Sequence, residues 1–307
     1  MSKGLIVSAS PHIRDKATTS LIMRDVLIAL VPALLASVWL FGIRALMVVA
    51  ACVIASVLSE YLFERICHKP VTVGDLSAAV TGVLLGFNLP VGIPLWIAAF
   101  GGVVAVAFVK QLFGGIGQNF ANPAITARIV LLVSFTGPMT TWINPGPDAV
   151  AGATPLAQLA AGQIPSVTPV QMLLGMRGGC LGETCSLALI AGGIYLLFRK
   201  VISWHIPVAF IGTVFVLTAL AGQQPVYQVL SGGLLIGAIF MATDYTTSPA
   251  TPLGKLIFGV GCGGLTVLIR LYGSYPEGVS YAILLMNILE PHISTLTQNK
   301  AFGGAKG

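Results

Sequence analysis

The sequence predicts an all-α polytopic membrane protein with about ten transmembrane helices, on three grounds. The chain is 56% hydrophobic and only 8% charged over 307 residues, where a soluble domain is about 25% charged. Its 16 Lys and Arg with 10 Asp and Glu are too few to cover the surface of a water-soluble protein of this length. Apolar stretches of about 17–25 residues, the length of a spanning helix, recur along it. The basic residues sit at the ends of those stretches, as membrane topology requires. The net charge of +6 therefore does not point to nucleic acid.

Residues 1–23 carry Lys3, Arg14 and Lys16 without an uninterrupted apolar core or a small-residue cleavage site. They read as an uncleaved cytoplasmic segment at the membrane surface rather than a signal peptide. Five spans are expected at 24–43, 45–66, 76–90, 93–112 and 122–138, and five more at 183–201, 204–221, 228–243, 254–271 and 278–293. A tail, 294–307, ends the chain. With the N-terminus in the cytoplasm, twelve basic residues fall on that side: Lys3, Arg14, Lys16, Arg24, Arg65, Lys69, Lys110, Arg199, Lys200, Lys255, Lys300 and Lys306. The other side receives three, Arg44, Arg177 and Arg270. That bias supports the count of ten and places both termini on the cytoplasmic side of the cell membrane.

The segment 139–182 then lies on the outer side. It is the longest non-spanning stretch, with turn signals at Asn144-Pro145-Gly146-Pro147 and Gly178-Gly179. The halves 24–138 and 183–293 have opposite orientations, which suits an inverted repeat. The short third span ends in Gly86-Phe87-Asn88-Leu89-Pro90, and the short eighth in Ala242-Thr243-Asp244-Tyr245. Corresponding short spans with polar ends point to broken helices meeting near the midplane.

In the outer segment, Asp148-Ala149-Val150-Ala151-Gly152-Ala153-Thr154 precedes Pro155. As plain structure, Asp148 starts a turn, Gly152 bends it, and Thr154 caps a helix beginning at Pro155. The pattern D-x-x-x-G-A-T also resembles the acceptor sequence of flavin transferases, which join FMN through its phosphate to the threonine hydroxyl. The two readings are compatible. Exposed N–H groups at a helix start favour an attached phosphate, and Gly152 and Ala153 leave room for a flat ring.

A glycine-rich run from Gly114 to Gly117 leads to Asn119 and Asn122, which offer hydrogen bonds without charge. Asn122 also suits the cap of the fifth span before Pro123. Arg128 follows within that span. An intramembrane Arg is expensive and faces a polar site, so it meets a flavin phosphate, meets an acidic partner, or snorkels. Glu183 opens the sixth span, either as a favourable carboxylate at a helix start or as a ligand lining an outer vestibule. Cys180 and Cys185 are compatible with a disulfide, a redox pair or two idle thiols, while Cys52, Cys67 and Cys262 read as small hydrophobes within spans. Asp244 lies among Thr243, Thr246, Thr247 and Ser248. A carboxylate at membrane depth costs on the order of 3 kcal/mol, which hydroxyls partly offset. The set suits a hard cation such as Na+, an isoalloxazine edge, or a helix end at the interface. Glu277 reads as a helix start, and Asn287 as a hydrogen bond between helices.

In order and spacing, these pieces resemble the D subunit of Rnf-type electron transport complexes and its relative, the B subunit of Na+-translocating NADH:quinone oxidoreductase. The resemblance rests on Ser10-Pro11-His12, Asn122-Pro123-Ala124, Gly152-Ala153-Thr154-Pro155-Leu156, Gly182-Glu183-Thr184, Met241-Ala242-Thr243-Asp244 and Tyr275-Pro276-Glu277-Gly278 with Leu284-Leu285-Met286-Asn287. The 307 residues, without an added N-terminal extension, look more like the Rnf protein. The resemblance implies covalent FMN at Thr154 attached by a flavin transferase, a noncovalent riboflavin nearer the cytoplasmic face, and partner subunits in a complex. It also implies electron flow from reduced ferredoxin to NAD+ coupled to Na+ or H+ translocation. Tyr245 departs from the resemblance, because the family often has Pro there. The competing class is a cofactor-free channel or secondary transporter, which an inverted five-span repeat equally suits.

Overall fold

The computed structural model describes residues 18–145, 152–273 and 277–298, which form helices with no strand among them. Asp148, most of the segment 1–23, Tyr275-Pro276 and the tail beyond Gln298 lie outside the described residues. Helices occupy all ten expected segments. In the first half these are α1 (Thr19–Phe41), α2 (Ile43–Ile66), the short α3 (Ser77–Phe87), α4 (Leu95–Val103) and α5 (Pro123–Ser134). The turns of α4 widen into π-helix over Val104–Gln111. Three short helices, α6 (Thr136–Thr140), α7 (Pro155–Ala160) and α8 (Pro169–Leu174), fill the outer segment and its entry. The second half holds α9 (Ser186–Phe198), α10 (His205–Leu220), α11 (Pro225–Leu230), α12 (Leu234–Ile236) with π turns to Met241, α13 (Pro252–Tyr272) and α14 (Val279–Thr297). By length and composition, α1, α2 and α13 are apolar enough to cross a membrane, and α3, α4 with its extension, α5, α9 and α10 are shorter apolar helices.

One pairing recurs in both halves. α2 lies along α4 as α10 lies along α13, while α1 packs on α9 and α5 on α14.

Two boundaries differ from expectation for visible reasons. The sixth span begins at Ser186, after Glu183. Leu181 N–H donates to the Leu89 carbonyl at 3.0 Å and Gly182 N–H to Phe87 at 2.8 Å, so this stretch pairs with the end of α3 instead of coiling. The eighth span is broken at Ser231-Gly232-Gly233, with φ of +65° and +68° at the two glycines. A Cβ on Gly232 would overlap Leu156 Cδ1. Positive φ alone costs a side chain roughly 1–2 kcal/mol, and the overlap adds to it. Gly232→Ala should lower the melting temperature of the detergent-solubilised chain by several degrees, whereas Gly212→Ala, where a Cβ meets open space, should change it little.

Candidate functional site

Two cavities hold most of the candidate residues, at successive levels along α5. Its N-terminal end, Asn122 to Ala124, borders a cavity of about 370 Å³. Arg128, Ile129 and Leu132 border another of about 180 Å³. At 1.5 Å rise per residue, the two levels stand on the order of 10 Å apart along the helix.

Thr154 lines the smaller cavity with Arg128, Trp142, Glu277, Ser280 and Tyr281. Thr154 caps α7, its hydroxyl oxygen accepting from Ala157 N–H at 3.2 Å, and it is only 6% exposed. The cap leaves the hydroxyl proton uncommitted. Gly152 does not line the cavity. A Cβ there would meet Asn144 Nδ2 at 2.5 Å, so its role is to let the outer segment close over Asn144. Ala153 is exposed.

Of the alternatives for Arg128, the acidic partner is the one present. Its guanidinium donates to Glu277, to Ser280 Oγ at 2.7 Å and to Cys180 Sγ at 3.5 Å. Glu277 is therefore an ion-pair partner as well as a residue near a helix start. Glu183 does not cap α9, since Cys185 holds that position. It is buried, with Arg177 donating to its backbone carbonyl at 2.5 Å. Burial pulls the Arg177 guanidinium below its ordinary value, and Glu183 pulls it back. Cys180 and Cys185 are free thiols. Burial holds the Cys180 thiol well above the usual range, so it is a neutral donor to the Asn88 carbonyl at 3.2 Å.

The larger cavity gathers Asn119, Asn122, Thr243, Asp244 and Thr246. The structure thus separates the two asparagines from Thr154 and joins them to Asp244. Asn122 is engaged on both sides of its amide. Its Oδ1 accepts from Ala124 and Ile125 N–H at 3.1 and 3.2 Å, and its Nδ2 donates to the Met241 carbonyl at 3.2 Å, tying α5 to the broken helix of the other half. Asn119 Nδ2 donates to Ala121 O at 3.0 Å. Thr247 donates to Asp244 Oδ2 at 3.2 Å, and Asn287 donates to the Thr247 carbonyl at 2.8 Å, the expected bond from the last helix.

Sequence reasoning missed a buried polar cluster that reaches this cavity through Lys110 and Ser77. Lys110, counted as a cytoplasmic end residue, is buried against Glu60 at 2.6 Å and Ser77 Oγ at 2.5 Å. Gln111 reaches the same Glu60 oxygen at 2.8 Å, and Thr72 binds Glu64 through its N–H at 3.0 Å. Consecutive residues can both face Glu60 because the helix is in wide π turns there, a feature frequent at functional sites. Two carboxylates four residues apart inside an apolar span were the available signal.

A model of the NQR2, RnfD, RnfE family matches residues 6–303. The chain belongs to that family. It is 50% identical over 306 residues to the D subunit of the Na+-translocating ferredoxin:NAD+ oxidoreductase complex of Acetobacterium woodii, covering 98% of this chain and 96% of the relative. It is 45% identical to the D subunit of the proton-translocating ferredoxin:NAD+ oxidoreductase complex of Clostridium ljungdahlii, covering 97% and 96%. To the D subunit of the ion-translocating oxidoreductase complex of Escherichia fergusonii it is 34% identical, covering 98% and 99%. Family membership with this helical, apolar architecture makes the chain a multi-pass membrane protein.

Proposed function

We propose that this chain is the membrane flavoprotein subunit of an ion-translocating ferredoxin:NAD+ oxidoreductase complex, with FMN esterified to Thr154. The observation that carries the site is that the Thr154 hydroxyl shares a cavity with a buried guanidinium. The fit is chemical. Arg128 Nε is buried without a partner, Ser280 adds a hydroxyl, and Trp142, Ile129 and Leu132 supply flat and apolar walls. In attachment, a flavin transferase joins the Thr154 oxygen to the phosphorus of an activated flavin nucleotide. The hydroxyl proton and the donor's leaving group depart. Thr154 Oγ1, which accepts from Ala157 N–H as the free hydroxyl, would keep a lone pair for that bond in the ester. Because Thr154 is buried, the transferase must act before α7 packs or when it lifts.

A bound flavin would supply the electron transfer, and the protein sets its position and potential. Arg128 would hold the phosphate or ring edge, and the apolar walls would exclude water. The larger cavity, with amide and hydroxyl groups at Asn119 and Thr243, suits a phosphate-free flavin such as riboflavin. In the orientation that the distribution of basic residues supports, Thr154 would face outward and the larger cavity would face the cytoplasm. Partner proteins of the complex then deliver electrons to the outer side and recover them on the inner side. Thr154 is read from a gel: covalent flavin fluoresces in the denatured chain, and a dark wild-type band from cells with the transferase would leave the transporter class ahead.

Asp244, Thr243 and Thr246 form the proposed cation route. Negative charge added by reduction acts strongly in a low dielectric and would draw a cation toward it. Relatives with Na+ and with H+ in their names bracket the choice of ion. Asp244→Asn should reduce cation-stimulated turnover of the complex at least tenfold while the covalent flavin fluorescence of the denatured chain is unchanged. Stimulation equal to wild type would remove Asp244 from the route.

A further inference from the structure

Three arginines and one glutamate near the Thr154 cavity, Arg128, Arg177, Arg270 and Glu183, are each at most 6% exposed, and Glu277 lines the cavity itself. Among the described residues, only Arg128 of these arginines has a carboxylate within ion-pair distance, that of Glu277. Arg270 donates to the Gln228 carbonyl at 2.6 Å, to Gln228 Oε1 at 3.1 Å and to the Ser231 carbonyl at 2.9 Å. Arg177 donates to the Glu183 carbonyl. All of these acceptors are neutral. Nε of all three arginines and Oε2 of Glu183 are buried with no partner. Among the described residues, then, three positive charges face two negative ones. Buried charge is costly unless it is compensated.

The surplus lies against α7. Arg270 Nη2 and Leu156 Cδ1 press on the same face of Gly232, and Leu156 is two residues from Thr154. Arg270 borders a separate pocket with Leu156 and Leu159, on the side of α7 away from the Thr154 cavity. Neither Arg270 nor Arg177 lines the Thr154 cavity.

We propose that Arg270 and Arg177 are positioning residues that supply fixed positive charge to whatever anion occupies the Thr154 cavity. The proposal rests on the reading of Thr154 as a flavin acceptor. The charge favours the esterified phosphate and, more strongly, the extra negative charge that reduction adds. Preorganised charge in a water-poor site acts without reorganising at the moment of transfer. Because the two side chains do not touch the cavity, they set the flavin's potential and leave its attachment alone. Glu183, of opposite sign in the same group, acts the other way.

The test is one of sign. The intact complex is purified with Arg270→Gln, Arg177→Gln, Glu183→Gln and Arg270→Lys. Flavin loading is read by fluorescence of the denatured chain. The potential of the Thr154-linked flavin is read by spectroelectrochemical titration, as the difference from a Thr154→Val complex. The expected result is wild-type loading throughout. The potential should fall in both Gln variants of arginine, rise in Glu183→Gln, and stay near wild type in Arg270→Lys. Structural damage would not reverse sign with the charge removed. Shifts in one common direction, or none in a fluorescent chain, would overturn the proposal. If Arg270→Gln does not assemble, Arg177→Gln against Glu183→Gln carries the same test. A dark wild-type chain would overturn the flavin reading first, and this proposal with it.

Discussion

Thr154→Val should remove the flavin fluorescence of the denatured chain completely, and mass spectrometry of the peptide spanning residue 154 should find it unmodified. The loss is all or none because the ester needs the hydroxyl oxygen, and Val keeps the volume of Thr without it. The same substitution removes the cap on α7, in which Thr154 accepts from Ala157 N–H at 3.2 Å. Losing a cap costs about 1 kcal/mol, too little to unfold a protein of ordinary stability. Thr168 provides the control. It caps α8 in a capping box with Gln171, so Thr168→Ala loses a comparable cap and should keep a fluorescent band. A bright band in Thr154→Val would move the attachment elsewhere. A dark band in Thr168→Ala would make the loss a folding effect.

Lys110→Met should be the most destabilising of the charge substitutions. Lys110 and Glu60 are both buried, with 2.6 Å between Nζ and Oε1, and the other Glu60 oxygen has no partner. Removing the ammonium leaves a buried carboxylate supported by Gln111 alone at 2.8 Å. Breaking such a pair costs about 3–5 kcal/mol, a large share of the roughly 5–15 kcal/mol that keeps a protein folded. The double variant Lys110→Met with Glu60→Gln removes both charges and should recover most of the loss. Thermal unfolding of the solubilised chain reads both. If the double variant is as unstable as the single one, the pair is not the source of the effect.

Much of this protein was legible in its sequence because the membrane imposes a simple code. An apolar run long enough to span must be helical, since no water is there to satisfy its backbone. The ten expected segments each contain a helix for that reason. Thr154 as a cap and Asn122 as a cap were legible too, because capping depends on a residue and its next three neighbours. Glu183 was not, because its neighbours 181 and 182 spend their N–H groups on the end of α3, almost a hundred residues away. Lys110 read as an interfacial anchor because sequence position alone does not reveal the π turns that carry it toward Glu60. Arg128 read correctly as needing a polar site, but three fates were open until Glu277 was placed beside it.

Composition, spacing and order along the chain were enough for the class of protein, its helical segments, its family and the run containing Thr154. Which distant residues share a cavity was settled by the packing of the helices in three dimensions. That packing set Asn119 and Asn122 with Asp244 rather than with Thr154, paired Arg128 with Glu277, and left Arg177 and Arg270 without carboxylates among the described residues. Such partnerships depend on how helices from the two halves meet. Buried charge must be satisfied across space, and that requirement carries no fixed distance along the chain.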